Sequence, residues 1–96
     1  MPDTSWKRHE RRVAAALGTK RVGPSGQSGP DVVTDWLAVE CKERRVLPKW
    51  ITNALSRIRV QAGSQRLGIV VAHEAGARDS LVIMSFEDFR DWFGDA

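Results

Sequence analysis

The chain has one cysteine, two histidines and no apolar run near the roughly 20 residues that a membrane-spanning helix needs. A lone Cys41 excludes an internal disulfide. One cysteine with the distant His9 and His73 gives no zinc-ligand spacing, so any metal is expected among oxygen ligands. Met1 to Thr4 carry no apolar signal-peptide core, and together with the missing span this predicts a soluble, cytoplasmic protein with no membrane association. Internal repeats, low-complexity stretches and an obvious linker are also lacking. At 96 residues the chain offers apolar surface for one core, so residues 1–96 are expected to form a single domain.

What is present is ordinary for a folding chain: 42% hydrophobic residues, with four Trp and three Phe. Disorder would demand far fewer large apolar side chains. The net charge of +3 is unevenly spread. Residues 1–66 carry 13 Lys or Arg against 6 acids, and residues 67–96 carry 2 against 6. A basic part of this kind raises the local concentration of polyanions and points to nucleic acid, although many basic faces bind none.

Thr4 or Ser5 caps a first helix expected to run to about Leu17, where Gly18 ends it. Trp6, Val13, Ala14 and Leu17 form its apolar stripe. Lys20 to Val22 reads as a short strand and residues 23–29 as a glycine-rich loop. A strand follows at Pro30 to Val33, a turn at Thr34-Asp35, and a strand from Trp36 to about Arg44. Pro48 opens a central helix with Trp50, Ile51, Ala54, Leu55, Ile58 and Ala62 at helical spacing, closed by Gly63. Leu67 to His73 is a nearly continuous apolar run of the kind found in buried strands. After a turn at Glu74-Ala75-Gly76, Leu81 to Ser85 makes a further strand. Phe86, Phe89, Trp92 and Phe93 mark the apolar face of a terminal helix. The order α-β-β-β-α-β-β-α predicts an α/β fold, a mixed sheet flanked by helices.

Alternation along Leu37 to Lys42 puts Leu37, Val39 and Cys41 on one sheet face and Glu40 with Lys42 on the other. Asp31, reached by the reversal at Thr34-Asp35, is expected to join them. Two carboxylates are hard oxygen ligands suited to magnesium, with manganese as a substitute. The Cys41 carbonyl is a candidate further ligand. Such an ion polarises a phosphate and acidifies water, and Lys42 beside it would orient that water or balance charge developing on the phosphate. Glu10 interrupts the apolar stripe of the first helix and directs a carboxylate inward, which is costly unless a cation or donors compensate it.

Gly29-Pro30-Asp31-Val32 and Val39-Glu40-Cys41-Lys42, with eight residues between Asp31 and Glu40 and with Glu10 upstream, resemble the PD-(D/E)XK nuclease superfamily. Within it the pattern is similar to the archaeal-type Holliday junction resolvases and small phage resolvases. The resemblance implies a restriction-endonuclease-like fold, a homodimer, and magnesium-dependent endonuclease cleavage of branched DNA in recombination or repair. It makes Glu10, Asp31 and Glu40 metal-site acids, Lys42 the catalytic lysine, and Ser25 or Ser28 the loop serine. Other nicking, repair or restriction-like nucleases share the motif. A non-catalytic DNA-binding module of the same fold would keep the phosphate affinity without turnover.

Each feature also has a bland use. Glu40 and Lys42 would form an exposed ion pair, Asp31 a turn residue after Pro30, and Glu10 a surface pair with Lys7. Arg8, Arg11, Arg12, Lys20, Arg21, Arg44, Arg45 and Lys49 are candidate phosphate contacts or simply solvated cations. Gln61 reads as an exposed helix residue, the histidines as non-catalytic, and the tryptophans as core or dimer packing. The acidic terminal helix is a candidate protein-docking or dimer surface.

Overall fold

The computed structural model of the protein describes residues 5–22 and 29–94. Three helices and two antiparallel two-stranded sheets make a mixed α/β chain, in the order α1 (Ser5–Ala16), β1 (Val32–Val33), β2 (Ala38–Val39), α2 (Lys49–Ala62), β3 (Val70–His73), β4 (Ser80–Ile83) and α3 (Phe86–Phe93). The expected strand at Lys20 to Val22 is reduced to one bridge, Arg21 with Val32. The described residues fall into two compact units. The first runs through Arg45 and takes in Phe93, and the second spans Val46–Trp92.

In the first unit α1 packs on β1. The α1 positions Glu10, Val13 and Ala14 are buried, as is Leu17 just beyond it; three- and four-residue spacing puts them on one face. With Val32, which has no exposed surface, they form the buried core. Leu17 and Val32 each contribute roughly 1.5–3 kcal/mol by leaving water. Gly18 ends the helix with φ of 75°, a left-handed conformation that glycine adopts without Cβ strain. Thr19 N–H then donates to the Ala14 carbonyl at 2.9 Å, satisfying one of the helix-end acceptors.

The hairpin after it is short for a physical reason. β1 and β2 pair only through Val32 with Val39 and Val33 with Ala38. At the turn, Thr34 N–H donates to the Leu37 carbonyl at 2.9 Å, and Leu37 N–H donates to Thr34 Oγ1 at 3.1 Å. Asp35 and Trp36 are left as a two-residue loop, and no described non-glycine residue has a positive φ. Two-residue turns without positive φ do not match the twist of paired strands, so the strands splay early. At the other end, Asp31 N–H donates at 2.8 Å to the carbonyl of Val39, the residue that already faces Val32. Two residues of one strand thus oppose one of the other, as in a β-bulge. The strand expected from Trp36 to Arg44 is therefore a two-residue ladder followed by a segment outside it.

In the second unit Pro48 precedes the first turn of α2, where a missing N–H costs nothing, and Gly63 with φ of 67° ends it. α2 packs against β3, and β3 pairs with β4 in the register Val70 with Ile83 to His73 with Ser80. At Gly68, just before β3, an added Cβ would lie 3.0 Å from the Ile58 carbonyl oxygen and 3.1 Å from Arg59 Cα. Only a residue without a side chain allows strand and helix backbones this close. The opposite sheet face, with Val71 60% and Val82 59% exposed, is uncovered. All four tryptophans, expected on packed faces, are about half exposed: Trp6 47%, Trp36 53%, Trp50 58% and Trp92 52%.

Candidate active site

Asp31 lies where the ladder stops. Its Oδ2 accepts the Cys41 backbone N–H at 2.7 Å, so a side-chain oxygen takes the donor that the next ladder carbonyl would otherwise have taken. The short distance is that of a charge-assisted bond. It holds the Asp31 carboxylate against the main chain between Glu40 and Lys42.

Glu10 points into the first unit from α1, as its place in the apolar stripe predicts, and is 5% exposed. The compensating cation is Arg21, whose Nε and Nη2 both donate to Glu10 Oε1, at 3.2 and 3.1 Å. The Arg21 guanidinium also lies 5.9 Å from the centre of the Trp6 ring, a cation–π distance that Lys7 Nζ repeats at 5.4 Å. Arg21 is thus engaged internally, with the Glu10 carboxylate and the Trp6 ring. Glu10 pairs with Arg21 rather than with Lys7.

Both acids act on Cys41. The half-buried thiol is pushed above its ordinary pKa, chiefly by burial and then by the negative charges of Asp31 and Glu10. Of the two carboxylates, Asp31 is bonded to the Cys41 main chain, while Glu10 acts on the thiol through its charge alone.

Glu40 and Lys42 are exposed, whereas Leu37, Val39 and Cys41 are half-buried, so the alternation read from the sequence holds in burial although the ladder has ended. Among the described residues Glu40 and Lys42 form no ion pair with each other, which leaves both side chains open to solvent and ligand. Among the described residues no three His, Cys, Asp or Glu side chains cluster as a ready metal site.

The basic candidates divide by position. Arg8, Arg11 and Arg12 are exposed on α1 and line a groove with Ser5 and Glu43. Lys20, Arg45 and Lys49 are exposed, and Arg44 is too, its Nη1 donating to the Glu43 carbonyl at 3.1 Å. Gln61 is an exposed helix residue. Ser25 and Ser28 lie outside the described residues.

The role that sequence reasoning missed is that of Arg21 as the partner of Glu10, since Arg21 was offered there as a phosphate contact or a solvated cation. An inward acid on the first helix demands a cation, and Arg21 is the first arginine in the next extended segment. That signal was available in principle.

Comparison of the chain with models of protein families, with curated proteins and with solved structures gives no match in any of the three.

Proposed function

We propose that the chain is a magnesium-dependent DNA endonuclease of the PD-(D/E)XK type with a restriction-endonuclease-like fold, acting as a homodimer on four-way junctions. The observation that supports this reading is the Asp31 carboxylate held by the backbone N–H of Cys41, the residue between Glu40 and Lys42.

The donor set suits the ion. Magnesium is commonly held by one or two carboxylates and otherwise keeps waters and substrate phosphates, so a three-side-chain cluster is not required. Asp31, Glu40 and the Cys41 carbonyl would hold it, and Glu10 would complete the shell once released from Arg21 or act on a ligand water. Bound there, magnesium supplies polarisation of the phosphate and a lowered pKa for water.

The chain's own groups do the rest. The Cys41 N–H fixes the Asp31 carboxylate, so its orientation does not have to be organised on substrate binding. Lys42, exposed and unpaired with Glu40, orients the attacking water and balances charge on the phosphate. Arg8, Arg11 and Arg12 supply sequence-independent affinity for the DNA backbone, with Lys20, Arg44, Arg45 and Lys49 extending it.

A non-catalytic DNA-binding module is the second reading, and the Glu10–Arg21 ion pair favours it, because a neutralised Glu10 is a weaker ligand. One experiment separates the two. Labelled four-way junction, duplex and flap DNA are incubated with the protein and magnesium. Paired symmetrical nicks in the junction support a resolvase. Nicking of duplex or flap alone assigns another nuclease of this type. Retained binding with no cleavage in magnesium or manganese rejects the enzyme.

A further inference from the structure

A second concavity lies wholly within the second unit and plays no part in the proposed chemistry. It has a volume of about 400 Å³ and is walled by Trp50 and Ile51 of α2 and by Ala72, Leu81 and Ile83 of the β3–β4 hairpin. His73, Glu74, Ala77 and Asp79 complete its lining. A cavity of this size, mostly apolar with a few polar groups at one side, is the usual form of a ligand pocket.

The polar groups are all of one kind. Glu74 and Asp79 are carboxylates and accept hydrogen bonds only. The Ala77 carbonyl can only accept, so His73 Nε2 donates to it, at 2.9 Å. In the neutral ring this leaves Nδ1 as a further acceptor. No arginine or lysine lines the cavity, and Arg78, in the same turn, is outside the lining. Trp50, 58% exposed, adds a large aromatic ring of the kind whose face attracts cations. The wider field agrees, since residues 67–96 carry two basic residues against six acids. Acceptors, an aromatic face and apolar walls together fit an occupant with an apolar stem and a positively charged, donor-rich head.

We propose that this cavity receives an arginine or lysine side chain presented by a partner polypeptide, with the stem along Ile51, Leu81 and Ile83 and the cationic head between Trp50 and the carboxylates of Glu74 and Asp79. Charge complementarity selects this occupant. A nucleic acid would bring phosphates to a rim of carboxylates, and a wholly apolar segment would leave the acceptors without donors. The site is independent of the nuclease reading.

The test uses the full chain at pH 7.5. A fluorescein-labelled peptide, Gly-Leu-Arg-Leu-Gly amide, is compared by anisotropy with its citrulline counterpart, which keeps the shape and loses the charge. The arginine peptide should bind at least tenfold more tightly. Trp50→Ala and Asp79→Asn should each weaken it at least fivefold, with the citrulline peptide little changed. Circular dichroism checks folding, and if Trp50→Ala fails to fold, the exposed positions Asp79→Asn and Glu74→Gln decide alone. Equal affinity for both peptides, no measurable binding, or binding indifferent to these substitutions overturns the proposal. Agmatine binding as tightly as the peptide overturns it in favour of a small amine as occupant.

Discussion

Cys41 is tied to Asp31 twice over: its backbone N–H donates to the Asp31 carboxylate at 2.7 Å, and its thiol is made harder to ionise by the same negative charge. The two effects separate under substitution. Asp31→Asn keeps an oxygen for the N–H and removes the charge.

Asp31→Asn should therefore leave the fold intact, lower magnesium-dependent cleavage roughly 100-fold or more, as expected for loss of a catalytic group, and preserve DNA binding. Gel-based cleavage beside filter binding reads both. Cleavage at the parental rate would remove Asp31 from the chemistry.

The thiol gives a second readout. With its pKa raised, Cys41 should react slowly with iodoacetamide near pH 8, and Asp31→Asn should speed the reaction by removing one of the charges that hold the proton. The linkage sign follows. A folded-state pKa above the unfolded value contributes stability that is full below the unfolded pKa and is lost as pH rises through the folded one. Denaturant midpoints should fall on the alkaline side of the ordinary thiol range, and Cys41→Ser should flatten that fall.

Arg21→Ala leaves the Glu10 carboxylate buried without its cation, which costs about 3–5 kcal/mol for a buried pair broken on one side. Glu10→Gln keeps a neutral acceptor for the guanidinium and should cost less, about 1–3 kcal/mol. Urea unfolding of both variants tests the order. If Glu10 belongs to a magnesium site, the ion should raise the melting temperature of Arg21→Ala more than that of the parent, because there it replaces the missing charge.

In the second unit Arg59 Nε donates to Asp88 Oδ2 at 2.8 Å and Nη2 to Oδ1 at 3.1 Å. This fork between α2 and α3, with a further side-chain hydrogen bond from Ser85, holds the Asp88 carboxyl below its usual range. A lowered folded pKa means that the contribution is present above the unfolded pKa and is lost as pH falls through the folded one. A carboxyl titration followed by NMR should find Asp88 titrating below the ordinary aspartate range, and Arg59→Ala should bring it back toward the ordinary value.

For the basic face of α1, log affinity for duplex DNA should fall linearly with log salt, and Arg8→Ala and Arg12→Ala should each reduce the slope by about 1 if each meets a phosphate. An unchanged slope would make these arginines solvated cations.

Helices were legible because their punctuation is chemical. Gly18, Pro48 and Gly63 stand where α1 ends and α2 begins and ends, and the apolar spacing between them does not depend on distant residues. Strand extent was not legible. The length of β2 is set by the Asp35-Trp36 loop and by the Asp31 carboxylate capturing the Cys41 N–H, and both are pairings across the hairpin rather than properties of Trp36 to Arg44. The inward Glu10 could be read from its stripe, but its partner eleven residues away could not be read from periodicity. Burial of the tryptophans failed for a related reason, since a residue on an apolar face is covered only when another element arrives to cover it.

At Gly68 two main chains touch with no side chain between them. A side chain at such a crossing would absorb a small displacement by changing rotamer, and here nothing can. Any tilt of α2, including one forced by a guest wedged beside Trp50, must be passed on undamped to the root of the hairpin, as through a rigid lever.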